Sequence, residues 1–175
     1  MPLVARQIAL LRGINVGGNK RVEMARLHAL MEELGYRDVR TYVNSGNVVF
    51  SGPRRSEKHL ESAIAKTFGF DVPVVLRSRD ELADIVQANP LRDVATDPAK
   101  HLVVFCAAEA STDLDPADFA PETFEVRGRE VYLWAPGGIG TSPLAKLLAS
   151  KSLGAKSTAR NWRTVEKLLA LADEG

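Results

Sequence analysis

The feature that most constrains the fold is the order of strand and helix patterns over the first 78 residues. Four β-strand patterns occur, at 5–11, 38–43, 47–50 and 72–76. Two helical patterns separate them, one from Met24 to Leu34 and one after Ser56. The order strand, helix, strand, strand, helix, strand is that of the ferredoxin-like βαββαβ unit. The sequence therefore predicts an α+β fold with residues 1–78 as a ferredoxin-like subdomain.

Residues 79–175 predict a second α+β subdomain. A capping-box pattern begins at Ser78, and Ser142 followed by Pro143 is a typical helix start. The predicted order is strand, helix, hairpin around Gly128 and two helices (βαββαα), the last helix covering about 160–173. This order is related to that of the first half, although the residues differ. An internal duplication and packing of the last helix on the first subdomain are both left open.

Composition places the chain among globular proteins that need no disulfide. Apolar residues make up 45% of the 175 and the net charge is +1, which disfavours a strongly basic nucleic-acid binder. The single cysteine, Cys106, excludes an internal disulfide and fits a reducing compartment. No apolar run approaches the roughly 18 residues that span a bilayer, and the N-terminus lacks a signal-peptide pattern. We expect a cytoplasmic protein with no membrane partner; the sequence gives no oligomeric state.

The charge is distributed unevenly along the chain. Residues 1–40 carry seven Lys/Arg against four Asp/Glu, 80–130 carry four against twelve, and 141–169 carry six against one. One interpretation is a solvated surface whose segments attract one another. The other is that the two basic ends converge on an anionic ligand.

The predicted topology brings two polar segments to one end of the sheet. The loop after the first strand reads "RGINVGGNKR" from Arg12 to Arg21, and the hairpin turn after the second strand reads "NSGN" from Asn44 to Asn47. In a βαββ arrangement both follow strands that run in the same direction. We therefore expect the two segments to lie close together, with backbone amides, asparagines and basic side chains in one place.

The glycine loop departs from the phosphate-binding loop of nucleoside triphosphatases. Gly13 and Gly18 have the spacing of that motif, but Asn19 precedes Lys20, and Arg21 stands where a hydroxyl would bind magnesium. Its glycines can still turn N–H groups toward an anion next to a helix N-terminus. The alternative is that the glycines only supply positive φ angles.

No pattern for catalysis or metal binding is present. His28, His59 and His101 are scattered, one cysteine is present, and nothing indicates a base for Ser45. We assign no catalytic residue, no metal and no cofactor, and whether the chain is an enzyme is left open. Base stacking on the central strands, as in RNA-recognition domains, is disfavoured because those strands offer only Phe50.

Three motifs resemble one bacterial family. "LLRGINVGGNKRVEM", "TYVNSGNVVFSG" and "LGAKSTARNWRTVEKLLAL" are similar to the domain of unknown function 1697 family, over nearly the whole chain. The resemblance implies an α+β protein built on ferredoxin-like units and implies no activity. It marks three characteristic stretches, in which the candidate ligand-binding residues are Arg12, Gly13, Asn15, Gly17, Gly18, Asn19, Lys20, Tyr42, Asn44, Ser45, Asn47, Arg160, Asn161 and Trp162.

The third motif allows two interpretations. Thr158 is expected to cap the last helix, and Arg160 and Asn161 either fasten that helix or complete a ligand site. Trp162, between basic residues, either joins the core or stacks a base. The leading hypothesis is binding of a phosphate-bearing or other anionic ligand, a nucleotide or nucleic acid, at the glycine loop and the hairpin. The alternatives are an enzyme of unknown reaction and a non-catalytic interaction module.

Overall fold

The computed structural model describes residues 5–43, 46–150, 153 and 156–174. The chain divides into two compact units. The first comprises the residues up to Leu82 together with those from Leu168 onward, and the second is Ala83–Lys167.

The first unit has the predicted ferredoxin-like order. Its elements are β1 (Ala5–Leu11), α1 (Met24–Glu33), β2 (Arg37–Tyr42), β3 (Asn47–Gly52), α2 (Glu57–Phe68) and β4 (Val74–Ser78). The helix α3 (Arg79–Gln87) follows directly. The strands pair antiparallel in the order β2-β3-β1-β4, which places the first and third strands at the centre. The predicted α+β fold class is confirmed, with strand ends shifted by one or two residues.

The core of the first unit lies between one face of this sheet and the two helices. Because side chains alternate along a strand, Ala9 and Leu11 of β1 face the same side as Phe50 of β3. Leu27 and Ile64 cover this face from α1 and α2. All five residues are almost wholly buried, as the helical and strand periodicities predict.

Strand β4 lies at the edge of the sheet, and glutamates cover its outward N–H groups. Val74 N donates to Glu61 Oε2 (2.9 Å) and Leu76 N donates to Glu57 Oε2 (2.7 Å). Both carboxylates come from α2, one helical turn apart. The edge is thereby closed to pairing with another strand.

The second unit repeats the sheet order of the first. Its strands are β5 (His101–Cys106), β6 (Thr123–Arg127), β7 (Glu130–Trp134) and β8 (Ser157–Asn161). Its helices are α4 (Pro143–Ala149) and α5 (Trp162–Asp173), with 3₁₀ turns at Pro98–Lys100, Pro116–Phe119 and Ile139–Thr141. The order β6-β7-β5-β8 corresponds strand for strand to β2-β3-β1-β4. The two units are therefore related in topology, with the 3₁₀ turn at Pro116–Phe119 in the place of α1.

The predicted order βαββαα of the second half is wrong at its end. Residues 157–161 form β8, paired antiparallel to β5 from Cys106↔Ser157 to Leu102↔Asn161, instead of leading into a helix at 160. Thr158 therefore does not cap the last helix. Asn161 does, because its Oδ1 accepts a hydrogen bond from Thr164 N at 2.9 Å. The segment "STARN" lacks apolar alternation, so only pairing with β5 makes it a strand.

The predicted helix starts are confirmed by their caps. Ser56 Oγ accepts from His59 N at 3.2 Å. Ser78 and Glu81 form a reciprocal capping box, in which Glu81 N donates to Ser78 Oγ (3.1 Å) and Ser78 N donates to Glu81 Oε1 (2.9 Å). Ser142 Oγ accepts from Ala145 N at 2.9 Å.

No helix in the described part of the chain combines the length and apolar character that crossing a membrane requires.

Candidate functional site

The glycine loop and the hairpin turn lie at the same end of the first sheet, as the topology predicts. Leu10 of β1 pairs with Asn47 of β3. Leu11 N donates to Gly46 O at 2.9 Å, which joins the end of β1 to the hairpin turn. Asn44 and Ser45, two predicted site residues, lie outside the described residues.

Gly46 fixes the contact between the two segments. Its φ is +89°, and a Cβ placed on it would lie 2.8 Å from both Ile14 Cδ1 and Leu11 Cβ. Ile14 belongs to the glycine loop and is almost wholly buried. The hairpin thus packs directly on the loop at a position where only glycine combines the backbone conformation with the available space.

The tip of the glycine loop is a tight hairpin turn. Val16 and Asn19 form a β-bridge, with Asn19 N donating to Val16 O at 3.1 Å. Gly17 and Gly18 have φ angles of +59° and +79°, the positive values that a type I′ turn requires at both central residues. The glycines therefore serve the conformational role that the sequence left open as an alternative.

Three polar residues of the loop are bonded within the first unit. The amide of Asn15 donates from Nδ2 to Val22 O (2.9 Å), and its Oδ1 accepts from Val22 N (2.8 Å). The backbone N–H of Asn15 donates to Lys20 O at 3.1 Å, so it does not point at an anion. Lys20 Nζ donates to Asp71 O (2.8 Å), and Arg12 N donates to Pro73 O (3.0 Å). These contacts close the loop and attach it to the start of β4.

The predicted hairpin residues Asn47 and Tyr42 are also joined to each other. Asn47 is wholly buried, and its Nδ2 donates to Tyr42 O at 2.9 Å. This bond spans the turn and fixes how β2 enters β3.

A pocket of about 650 Å³ lies beside the loop, at the start of α1. We call it the loop pocket; its lining residues are Asn15, Gly18, Asn19, Arg21, Val22, Glu23 and Met24. Three of them are predicted site residues, whereas the sequence interpretation missed the run 21–24. The sequence signal that could have found them is their position directly before α1, because side chains there flank the unsatisfied N–H groups of the helix.

The loop pocket carries two features that favour an anion. The first turn of α1 holds no acidic residue, and its N-cap, Glu23, makes no side-chain capping bond. The first N–H groups of α1 therefore receive no capping bond from Glu23, but its carboxylate lies at this helix end, lines the pocket and opposes a bound anion. Arg21 is exposed and has no hydrogen bond or ion pair with any residue that the structure describes.

A smaller pocket of about 240 Å³ adjoins the loop pocket. We call it the Phe68 pocket, lined by Arg21, Glu23, Arg26 and Phe68. Arg21 and Glu23 line both pockets. Phe68 is half-buried at the end of α2, with its ring centroid 6.3 Å from that of Phe70.

The third motif is built into the second unit. The buried Arg160 donates from Nη1 to Thr158 Oγ1 (2.7 Å) and to Ala159 O (2.8 Å), and burial lowers its pKa to about 10. Asn161 caps α5, as described above. Trp162 stacks on His101 with ring centroids 4.6 Å apart and planes 14° from parallel. All three side chains thus have structural partners in this unit, and their convergence on the glycine loop stays a prediction.

The imidazole of His101, in β5, lies in the interior of the second unit. It is almost wholly buried, burial lowers its pKa to about 4, and its Nε2 has no hydrogen-bond partner in the described residues. The imidazole is therefore neutral at pH 7. Within residues 5–43, 46–150, 153 and 156–174 no group of His, Cys, Asp or Glu has the arrangement of a metal site.

Comparison with known proteins identifies the family and the fold. The family model described as "Protein of unknown function (DUF1697)" matches residues 4–132, so the chain belongs to this family. The conserved bacterial protein SP0830 from Streptococcus pneumoniae has a similar structure, with a TM-score of 0.70 and 23% sequence identity. The match covers 97% of this chain and 99% of that one, which extends the shared fold over both units. No curated protein matches the chain.

Proposed function

We propose that this DUF1697 protein binds a phosphate-bearing or other anionic ligand in the loop pocket. The observation that carries the proposal is the combination, in one pocket, of an unpaired arginine and a helix N-terminus without a capping side chain. The volume of about 650 Å³ lies in the range of small-molecule sites. The packing of Gly46 on Ile14 and the hydrogen bonds of Asn15 to Val22 stabilise the loop that forms one side of the pocket.

The chemistry of the pocket supports this choice of ligand. The guanidinium of Arg21 matches a phosphate or carboxylate with two parallel hydrogen bonds. The first N–H groups of α1 have no intrahelical acceptor and point out of the helix end. We further propose a bacterial cytoplasmic protein, because the motifs resemble a bacterial family and the single cysteine, Cys106, is a buried thiol that forms no disulfide within the chain.

A second candidate is a non-catalytic interaction module. It is favoured by the internal bonding of several motif residues, above all Asn15, Asn47 and Arg160. In that case the three motifs build the two units and the loop pocket has no ligand. Asn15→Ala would then lower stability, and no anion would bind even to the wild type.

The test is calorimetric titration of inorganic phosphate and pyrophosphate at low ionic strength. Loss of one charge-assisted contact costs about 1.5–3 kcal/mol, so Arg21→Ala is expected to weaken binding at least tenfold. Arg37→Ala is the matched control, because the side chain of Arg37 is also exposed, makes no hydrogen bond or ion pair with the described residues and does not line the pocket. Equal affinities of the two variants would refute the proposed site.

A further inference from the structure

We propose that the ligand is a mononucleotide, with its phosphate in the loop pocket and its base in the Phe68 pocket. This inference rests on the proposed function, since it takes binding of the phosphate in the loop pocket as its starting point. The geometric observation is that Arg21 and Glu23 line both pockets, so the two pockets are neighbours. A ligand longer than phosphate can therefore reach from the loop pocket into the Phe68 pocket. Inorganic phosphate would fill only the first.

The lining of the Phe68 pocket suits a flat heteroaromatic ring. Phe68 presents a half-buried aromatic ring, and the guanidinium groups of Arg21 and Arg26 are planar. Aromatic rings and guanidinium planes are the surfaces on which nucleobases stack. Arg26 also forms an exposed ion pair with Glu33, at 3.2 Å between Nη1 and Oε1. The pocket measures about 240 Å³, which favours a single base over a larger group.

Glu23 favours a nucleotide with few phosphates. Its position is in the wall between the two pockets, where a carboxylate repels additional phosphate groups. The same oxygens accept hydrogen bonds, which ribose hydroxyls and the amino or imino groups of bases can donate. A single phosphate beside Arg21 and a sugar beside Glu23 satisfy both groups.

Three other observations disfavour a triphosphate of the usual kind and a long nucleic-acid strand. Lys20, the only lysine of the loop, donates to Asp71 O and so is engaged away from the pocket. Arg21 replaces the hydroxyl residue that binds magnesium in phosphate-binding loops. The net charge of +1 gives little attraction for the many phosphates of a nucleic acid.

The experiment is calorimetric titration of the full chain at low ionic strength. The ligands are the four common nucleoside 5′-monophosphates, the corresponding uncharged nucleosides, inorganic phosphate and a short oligonucleotide. We expect at least one monophosphate to bind tenfold or more tightly than inorganic phosphate, because stacking of the base adds to the phosphate contacts. The uncharged nucleosides are expected to bind more weakly than their monophosphates.

Two matched variants separate the base from the phosphate. Phe68→Leu keeps an apolar side chain and removes the ring, so it should abolish the tenfold gain of the nucleotide and leave phosphate affinity unchanged. Phe70→Leu changes the neighbouring ring, which does not line the pocket, and should alter neither affinity. If Phe68→Leu does not fold, the wild-type comparison of monophosphate with phosphate decides alone.

The outcomes separate this inference from the proposed function. If phosphate binds and no nucleotide binds more tightly than phosphate, the mononucleotide proposal is overturned and the proposed anion site stands. Absence of binding by phosphate, pyrophosphate and nucleotides alike overturns both. An oligonucleotide that binds at least tenfold more tightly than every mononucleotide overturns the inference in favour of a nucleic acid.

Discussion

Gly46→Ala tests most sharply how the hairpin supports the glycine loop. Gly46 has a φ of +89°, and an alanine Cβ would lie 2.8 Å from both Ile14 Cδ1 and Leu11 Cβ. The left-handed conformation costs a residue with a Cβ about 1–2 kcal/mol. The steric overlap adds about 1–3 kcal/mol, the usual cost of inserting an extra methyl group into a packed core. We therefore expect the free energy of unfolding to fall by about 2–5 kcal/mol.

Gly69→Ala is the matched control for this prediction. Gly69 ends α2 with a φ of +84°, nearly that of Gly46, but no atom lies within 4 Å of the position of its Cβ. Only the conformational cost of about 1–2 kcal/mol applies there. Urea unfolding of both variants, followed by circular dichroism, measures the difference directly. If Gly46→Ala costs no more than Gly69→Ala, the close contact between loop and hairpin does not stabilise the first unit.

Three further predictions concern stability in the two units. Because the folded His101 has a pKa of about 4 and an unfolded histidine about 6.5, only the unfolded chain binds this proton between those values. The free energy of unfolding should therefore fall by up to about 3 kcal/mol as pH drops from 6.5 to 4. Unfolding titrations at several pH values should show that His101→Phe removes this loss. If His101→Phe has the same pH dependence as the wild type, the prediction is contradicted. Glu61→Ala leaves the buried Val74 N–H without its acceptor and should lower stability by about 1–3 kcal/mol in thermal unfolding. Glu61→Gln keeps an acceptor oxygen and should cost less. Equal losses in the two variants would refute the role of Glu61 as the acceptor for Val74 N. Asn161→Ala removes the cap of α5 and should lower stability by about 1 kcal/mol in urea unfolding. Asn161→Asp keeps the oxygen acceptor for Thr164 N and should retain most of the stability. An alanine variant as stable as the wild type would contradict the prediction.

The architecture of the first unit could be predicted because its signals are local and agree with one another. Short continuous apolar runs mark β1 and β3, and Leu27, Leu30 and Met31 mark one face of α1. Ser56 and Ser78 stand at positions where their hydroxyls cap a helix. Once the order βαββαβ is set, the topology itself places the glycine loop beside the hairpin turn.

Strand β8 could not be predicted, because its stability comes from a partner distant in sequence. The segment "STARN" contains short polar residues that are equally common in turns and helix caps. Main-chain pairing with β5 holds it as a strand, with Val103 opposite Arg160 and Phe105 opposite Thr158. That pairing moves the cap from Thr158 to Asn161 and starts α5 at Trp162.

The meeting of the glycine loop and the hairpin turn was predicted, but the loop pocket is lined by the loop and the start of α1 and by none of the described hairpin residues. Gly17 and Gly18 are present for the turn, and the backbone N–H of Asn15, a predicted site residue, is bonded to Lys20 O. Which way a loop amide points depends on dihedral angles that the residue types only restrict. Arg21 and Glu23 were missed as lining residues because a pocket forms from the space between elements, which sequence periodicity does not describe.

The most direct test of the anion site is a phosphate titration followed by the backbone amide resonances of ¹⁵N-labelled protein. The account predicts saturable shifts concentrated at Gly18, Asn19 and the first turn of α1 from Met24 onward, which Arg21→Ala strongly weakens and Arg37→Ala leaves unchanged. Shifts that are absent, or that spread over the surface and persist in Arg21→Ala, would contradict it.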